Sequence, residues 1–292
     1  MNLLISTDTS CLVKKDVFKN YEISLFPLNV IIDGEEFLDG VTINQDQLLV
    51  AMRGGRNIKT STPPLGSIIE YFENLFNKGY NHIIHFTISC NLSSMYSLFC
   101  KVAEENFKGK LTIIDSHSLS TPMLSYVFLA YEGAKNGLSV EEIVDSVEKQ
   151  KNTDEVFFIP ENLTTLKNGG RISPTVALIG NIIGIKPVLI MKDGKIEKTG
   201  TTRKVRATVA ENLTEIHKTH PVEEYDYTVI NFDASEHQIA YIYDFCNTLL
   251  GDNRLIKGLI PINVCAHCGP GTIGILITKK INGKSLKDYI EG

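Results

Sequence analysis

Short apolar runs recur along the first half of the chain, each followed by a polar turn and a longer stretch with helical spacing. Asn2–Ser6 is such a run and leads into the polar loop Thr7-Asp8-Thr9-Ser10. The clearest is Asn81–Tyr96, NHIIHFTISCNLSSMY, where Ile83, Ile84, Phe86 and Ile88 read as a buried parallel strand. It turns at Cys90-Asn91 into a helix that opens on Ser93 and Ser94. Lys110–Ile114 is a further strand, ending in Asp115-Ser116-His117-Ser118. Helices are predicted over Asn44–Arg53, Leu65–Lys78, Pro122–Lys135 and Val140–Lys151, with Gly54-Gly55 and Gly137 as stops. Glu22–Ile32 is rich in Ile, Leu and Val, and the turn Asp33-Gly34 joins it to a return strand, Glu36–Leu38. Strand and helix alternate throughout, which argues for a mostly parallel sheet with flanking helices.

The grammar changes near Thr153–Val156. Phe157–Ile159 reads as a strand and Leu163–Leu166 as a short helix. Val176–Ile185, apolar on nearly every side, reads as a buried helix. Pro187–Lys192 and Ile196–Thr201 form a hairpin about Asp193-Gly194. Tyr227–Phe232 and Ile273–Thr278 are further strands, and Val205–His217 and Ser235–Leu250 are helices. The expected fold is therefore α/β in two domains. An N-terminal domain, residues 1–154, carries a mostly parallel sheet. A C-terminal domain, residues 155–292, carries a mixed or antiparallel sheet with helices.

Composition narrows the function. The chain has 292 residues, 43% of them hydrophobic and 22% charged, enough for a full core. Its net charge of −5, with no run of Lys or Arg, argues against a nucleic-acid partner. No apolar block is long enough to cross a bilayer, and the start, MNLLISTDTS, does not read as a secretory signal. Six dispersed Cys then fit reduced thiols in a cytoplasm.

Candidate chemistry lies at turns. A strand ending in Ser residues at a helix start gathers O–H and N–H donors at the positive end of a helix dipole. Ser93 is thus either a cap or a donor to an anion such as a carboxylate or phosphate. Lys59-Thr60-Ser61-Thr62-Pro63-Pro64 is a second such cluster, its hydroxyls placed to cap the helix that follows. In Asn168-Gly169-Gly170-Arg171-Ile172 two glycines permit close backbone approach, and Arg171 can fork onto an anion or simply lie at the surface. Cys265-Ala266-His267-Cys268-Gly269-Pro270-Gly271 follows what reads as an apolar strand, Leu259–Val264. It admits a zinc site, a redox dithiol, or a loop that holds His267 at a strand end facing a pocket. Ser93 with His267 could also form a hydrolase pair, although no orienting acid is evident and G-x-S-x-G is absent. No Walker loop or Rossmann glycine triplet supports nucleotide binding.

In order and spacing, these segments resemble the DegV family of bacterial fatty-acid-binding proteins, of the type that serves as the binding subunit of fatty acid kinase. The resemblance runs through Asp8, Pro27-Leu28-Asn29-Val30 with Asp33-Gly34, Thr60-Ser61-Thr62-Pro63, Leu92-Ser93-Ser94-Met95-Tyr96, Gly169-Gly170-Arg171-Ile172 and His267-Cys268-Gly269-Pro270-Gly271. It implies one long-chain fatty acid, such as palmitate, stearate or oleate, in a lipid tunnel between the two domains. Its carboxylate would be held by Thr60 or Ser61, Ser93, Arg171 and His267. It further implies no cofactor or metal, no catalysis by this chain, and an ATP-dependent fatty acid kinase subunit as partner for acyl-phosphate formation and phospholipid synthesis. Transient membrane contact is compatible with that role. Thr62 stands where the family often has Gln, and Ser94-Met95 where it often has Gly-Thr. A sensor or storage protein for the same ligand is the alternative binding role.

Overall fold

The structure is a computed structural model and describes residues 2–14, 16–151, 153–172 and 184–291. The helix expected over Val176–Ile185 falls almost wholly outside the described residues. Strands β1 (Leu3–Asp8), β2 (Ile23–Phe26), β6 (His82–Thr87) and β7 (Leu111–Asp115) form an all-parallel sheet in the order β2-β1-β6-β7. β8 (Glu155–Ile159), β9 (Lys186–Lys192), β10 (Lys195–Thr202), β11 (Tyr225–Phe232), β12 (Leu255–Leu259) and β13 (Thr272–Lys279) form a mixed sheet in the order β10-β9-β8-β13-β11-β12. Only β11 and β12 are parallel there. The α/β architecture, parallel in its first half and mixed in its second, agrees with the sequence pattern.

A third sheet was not expected. Pro27 divides the apolar stretch Glu22–Ile32, because it has no N–H for a central ladder. The part before it is β2; the part after it, β3 (Asn29–Ile32), pairs antiparallel with β4 (Glu35–Leu38) and β5 (Ile58–Ser61). Asp33 and Gly34 both take positive φ, 52° and 91°, as a two-residue hairpin requires. Thr60 and Ser61 are therefore strand residues, opposite Val30 and Asn29. They do not cap the next helix, α2 (Leu65–Phe76), whose N-cap is Pro64 without a side-chain bond. Helix α1 (Gln45–Arg53) does have the expected start, a capping box between Asn44 and Gln47.

Helices α3 (Met95–Asn106), α4 (Ser120–Lys135) and α5 (Val140–Gln150) complete the first half. α4 is buried over most of its length because it packs against β1 on one side and β13 on the other, joining the two larger sheets. Met123, Leu124, Val127 and Phe128 are its fully enclosed side chains. The second half adds α6 (Thr164–Asn168), α7 (Val205–His217), α8 (Glu236–Leu250), α9 (Ile262–Cys268) and α10 (Leu286–Glu291). The apolar stretch Leu259–Val264 is not a strand. β12 ends at Leu259, and Pro261 starts α9, a favoured place for proline. His267 consequently sits in the last turn of a helix, not on a loop after a strand.

A tight hairpin ties the halves together. Asp193 and Gly194, at φ 49° and 74°, turn β9 into β10. The tip reaches the loop after β6, where Ser89 Oγ donates to Gly194 O at 2.7 Å and Asn91 Nδ2 donates to Asp193 O at 3.2 Å. A Cβ on Gly194 would stand 2.6 Å from Ser89 Oγ. Gly194→Ala should cost about 1–3 kcal/mol from the left-handed backbone alone and also undock the tip. Urea unfolding together with proteolysis at the hairpin reads this, and unchanged stability would mean that the tip is not held.

The parallel sheet also encloses a histidine. His85 is fully buried, with Nδ1 2.9 Å from Ser6 Oγ and its ring stacked on Phe99 at 4.5 Å. Burial pushes its pKa down from 6.5 to about 3, so the folded protein holds it neutral. That stability is complete above pH 6.5 and is lost as pH falls toward 3, where only the unfolded chain takes the proton. Asp8, Asp39 and Asp154 are pushed up by burial to about 6, 7 and 7, which tilts stability the other way. A comparison with His85→Phe cancels those acids. Wild type should lose roughly 1.4 kcal/mol relative to the variant for each pH unit below 6.5. Parallel unfolding curves between pH 7 and 5 would show instead that the folded protein accommodates the charged ring.

Candidate functional site

The parallel sheet reverses its strand order between β1 and β6, and in such sheets the crevice beyond the carboxyl ends is where ligands bind. Asp8 closes the end of β1. Its Oδ1 accepts from Ser10 N at 2.7 Å and its Oδ2 from Ile88 N at 2.9 Å, which fixes the ends of β1 and β6 to each other. Just beyond lies a cavity of about 1080 Å³, counted to its open mouth. Its walls come from the small sheet, the mixed sheet and the turn that follows β6. Ile88, Leu92 and Met95 line it from the first half, Leu28 and Thr60–Thr62 from the small sheet, and Val156, Ile230, Gly274 and Leu276 from the mixed sheet. Met191 and Ile196 of the docked hairpin complete one side, and α9 another.

All five residues singled out in the sequence, Thr60, Ser61, Ser93, Arg171 and His267, line this one cavity. Thr60 Oγ1 and His267 Nε2 share a hydrogen bond of 2.8 Å between β5 and α9. Ser61 Oγ is buried and has no hydrogen-bond partner. Ser93 Oγ accepts from Met95 N at 3.3 Å, so it caps α3 as one of its two readings anticipated, while still lining the cavity. Ser94, the nominal N-cap, makes no cap bond with its side chain.

Arg171 is held by backbone oxygens. Its Nε donates to Leu92 O at 3.0 Å, and Nη1 donates to Gly169 O. These bonds tie the glycine loop to the turn that carries Ser93. Gly169 is needed for space, since a Cβ there would run into His267 Nδ1. Gly269, at φ 77°, ends α9 where a Cβ would stand 2.9 Å from Thr165 Oγ1. Burial, with the nearby Arg171 cation, pushes the His267 pKa down to about 4, so the imidazole is neutral at pH 7. Arg171 keeps the positive charge at this end of the cavity.

The competing readings of the Cys-His segment find no support. Among the described residues no group of three or more His, Cys, Asp or Glu is placed to hold a metal ion. Cys265 and Cys268 lie at the C-terminal end of α9, where the helix dipole opposes a thiolate, and burial pushes the Cys265 thiol well up. The Ser93–His267 pair is not formed either, because the hydroxyl on the imidazole belongs to Thr60.

Sequence reasoning missed Asn263, one helical turn before His267 on the same face of α9. The i, i+4 spacing was visible, but only once Pro261 is read as a helix start. Among the described residues no helix is long and apolar enough to cross a membrane.

Three comparisons place this geometry among known proteins. A DegV domain-containing protein of Clostridium acetobutylicum is 29% identical over 283 residues, covering 95% of this chain and 99% of the relative. The crystal structure of a fatty acid binding DegV family protein from Streptococcus agalactiae superposes with a TM-score of 0.85 at 25% identity, covering 96% of this chain and 99% of that one. A fatty acid (stearic acid)-binding protein from Eubacterium ventriosum superposes at 0.83, also 25% identical, over 95% and 98% of the two chains. The family model described as an uncharacterised protein of the DegV family matches residues 2–280, and the chain belongs to that family.

Proposed function

We propose that this protein binds one long-chain fatty acid, with the tail in the apolar cavity and the carboxylate at the cluster of Thr60, Ser61, Ser93, Arg171 and His267. The observation that carries the reading is the buried, unpartnered Ser61 hydroxyl beside the Thr60–His267 hydrogen bond on the wall of a mostly apolar cavity. A buried donor without a partner is costly, and a carboxylate accepts from it. The two similar fatty-acid-binding structures support the same ligand class.

The energetics divide between tail and head. About a dozen buried methylenes at about 0.8 kcal/mol each give roughly 10 kcal/mol of gross stabilisation, much of it offset by lost ligand freedom. The head-group bonds then set orientation and register. A neutral His267, hydrogen-bonded to Thr60, adds no second charge, and Arg171 balances the carboxylate. The set contains donors to an anion but no acid to orient an imidazole base, which favours holding over reacting.

The finer role follows from the family resemblance. The half-buried rim formed by Thr60, Ser61, Ser93 and Arg171 supports presentation of the carboxylate to an ATP-dependent kinase subunit in the cytoplasm, without catalysis by this chain. The two-domain division at residue 154 belongs to the same reading, with the ligand lying between the units.

Native mass spectrometry of protein purified from bacterial cells should show a co-purifying fatty acid, and added palmitate or stearate should bind to delipidated protein. Absence of both sinks the proposal. Ser61→Ala should weaken binding about tenfold with unchanged unfolding, because it removes a donor to a charged acceptor. Gly169→Ala should displace the His267 ring and weaken head-group binding more than Ser61→Ala does. Wild-type affinity in Gly169→Ala would show that the imidazole takes no part.

A further inference from the structure

Apart from the head-group cluster the cavity wall is mostly apolar, and one of its two amides is incompletely satisfied. Asn263 is 5% exposed and lines the cavity roughly 6 Å from His267, one turn earlier along α9. Its backbone N donates to Asp39 Oδ2 at 3.1 Å, and its Nδ2 donates to Ser10 Oγ at 2.9 Å. Its Oδ1 has no hydrogen-bond partner.

The surroundings fix which end of the amide is free. The Ser10 hydroxyl hydrogen is directed to the Asp8 carboxylate, so Ser10 Oγ is left to accept from Asn263. Turning the amide over would set two acceptors against each other. The unused group is therefore an acceptor, and it calls for a donor from a ligand. Ile260 and Val264, its neighbours on the wall, have no polar side-chain atom to offer.

We infer that the cavity is built for an acyl chain that carries a hydroxyl close to its carboxyl end, donated to Asn263 Oδ1. The inference rests on the fatty-acid reading above and narrows its ligand class to β-hydroxy or similarly placed hydroxy acids. The spacing along α9 sets the position: with the carboxylate at His267, the hydroxyl lies one helical turn away, and the tail takes the apolar remainder of the wall. A site that provides a hydrogen-bond partner for a hydroxyl discriminates against the analogue lacking it, because the buried group is then left unpaired.

The test is competition binding to delipidated protein with palmitate, β-hydroxypalmitate and ω-hydroxypalmitate. Wild type should bind the β-hydroxy acid at least as tightly as palmitate and the ω-hydroxy acid about tenfold more weakly, since its hydroxyl is buried without a partner. Asn263→Leu should reduce the β-hydroxy to palmitate affinity ratio about tenfold while keeping or improving palmitate binding. If palmitate binds wild type but both hydroxy acids are penalised alike, this inference falls and the fatty-acid reading stands. That comparison needs no variant, so a folding defect in Asn263→Leu leaves it decisive. An unchanged ratio in a folded Asn263→Leu also overturns it, and failure of all three acids to bind removes the fatty-acid reading as well.

Discussion

The site depends on an imidazole kept neutral at the boundary between a few polar groups and an oily interior. His267 is enclosed enough to lose its charge, and Arg171 nearby discourages protonation further. A charged ring there would compete with Arg171 for the same anion and raise the cost of the apolar wall behind it. Kept neutral, the ring can bond Thr60 across from β5 to α9 and so join the small antiparallel sheet to the second half of the fold. The missing side chain at Gly169 makes room for it, and the helix that carries it begins after Pro261 and ends at the left-handed Gly269.

The two larger sheets provide what no single layer could. The parallel sheet brings loop ends rich in hydroxyl and amide groups to one edge, through strands that are buried on both faces. The mixed sheet contributes a mostly apolar wall, Val156, Phe158, Ile230 and Leu276, in which Gly274 carries no side chain. Helix α4 lies between them, so the separation of the sheets is set by a packed helix. Interiors packed at crystal-like density do not close over a void easily, which allows an open slot to persist beside a solid core.

Much of this was legible in the chain. Alternating apolar runs gave the parallel half, and the Asp33-Gly34 and Asp193-Gly194 pairs gave both hairpins with their positive φ angles. Helix ends follow from glycine stops, as at Gly54-Gly55 and Gly137. Two errors had one cause, reading a hydrophobic run without weighing the proline inside it. Pro27 splits a strand between two sheets, and Pro261 turns an expected strand into a helix start. The first concealed the small sheet that carries Thr60 and Ser61; the second concealed Asn263. Long-range contacts such as Thr60 with His267, or Asp8 with Ile88, have no signature in local spacing. They arise from a sheet order that composition and period do not encode.

The hairpin tip has a mechanical consequence for the slot. Met191 and Ile196 form a wall on a ribbon whose turn is fastened by Ser89 and Asn91 to the opposite half of the molecule. Swinging that ribbon outward would strand two carbonyl oxygens, whereas rotating the side chains alone leaves every such joint intact. The width of the cavity on this side is thus governed by stiff fastenings at the hairpin turn, and a change in it has to come from the soft thioether of Met191 and the aliphatic Ile196 yielding in place.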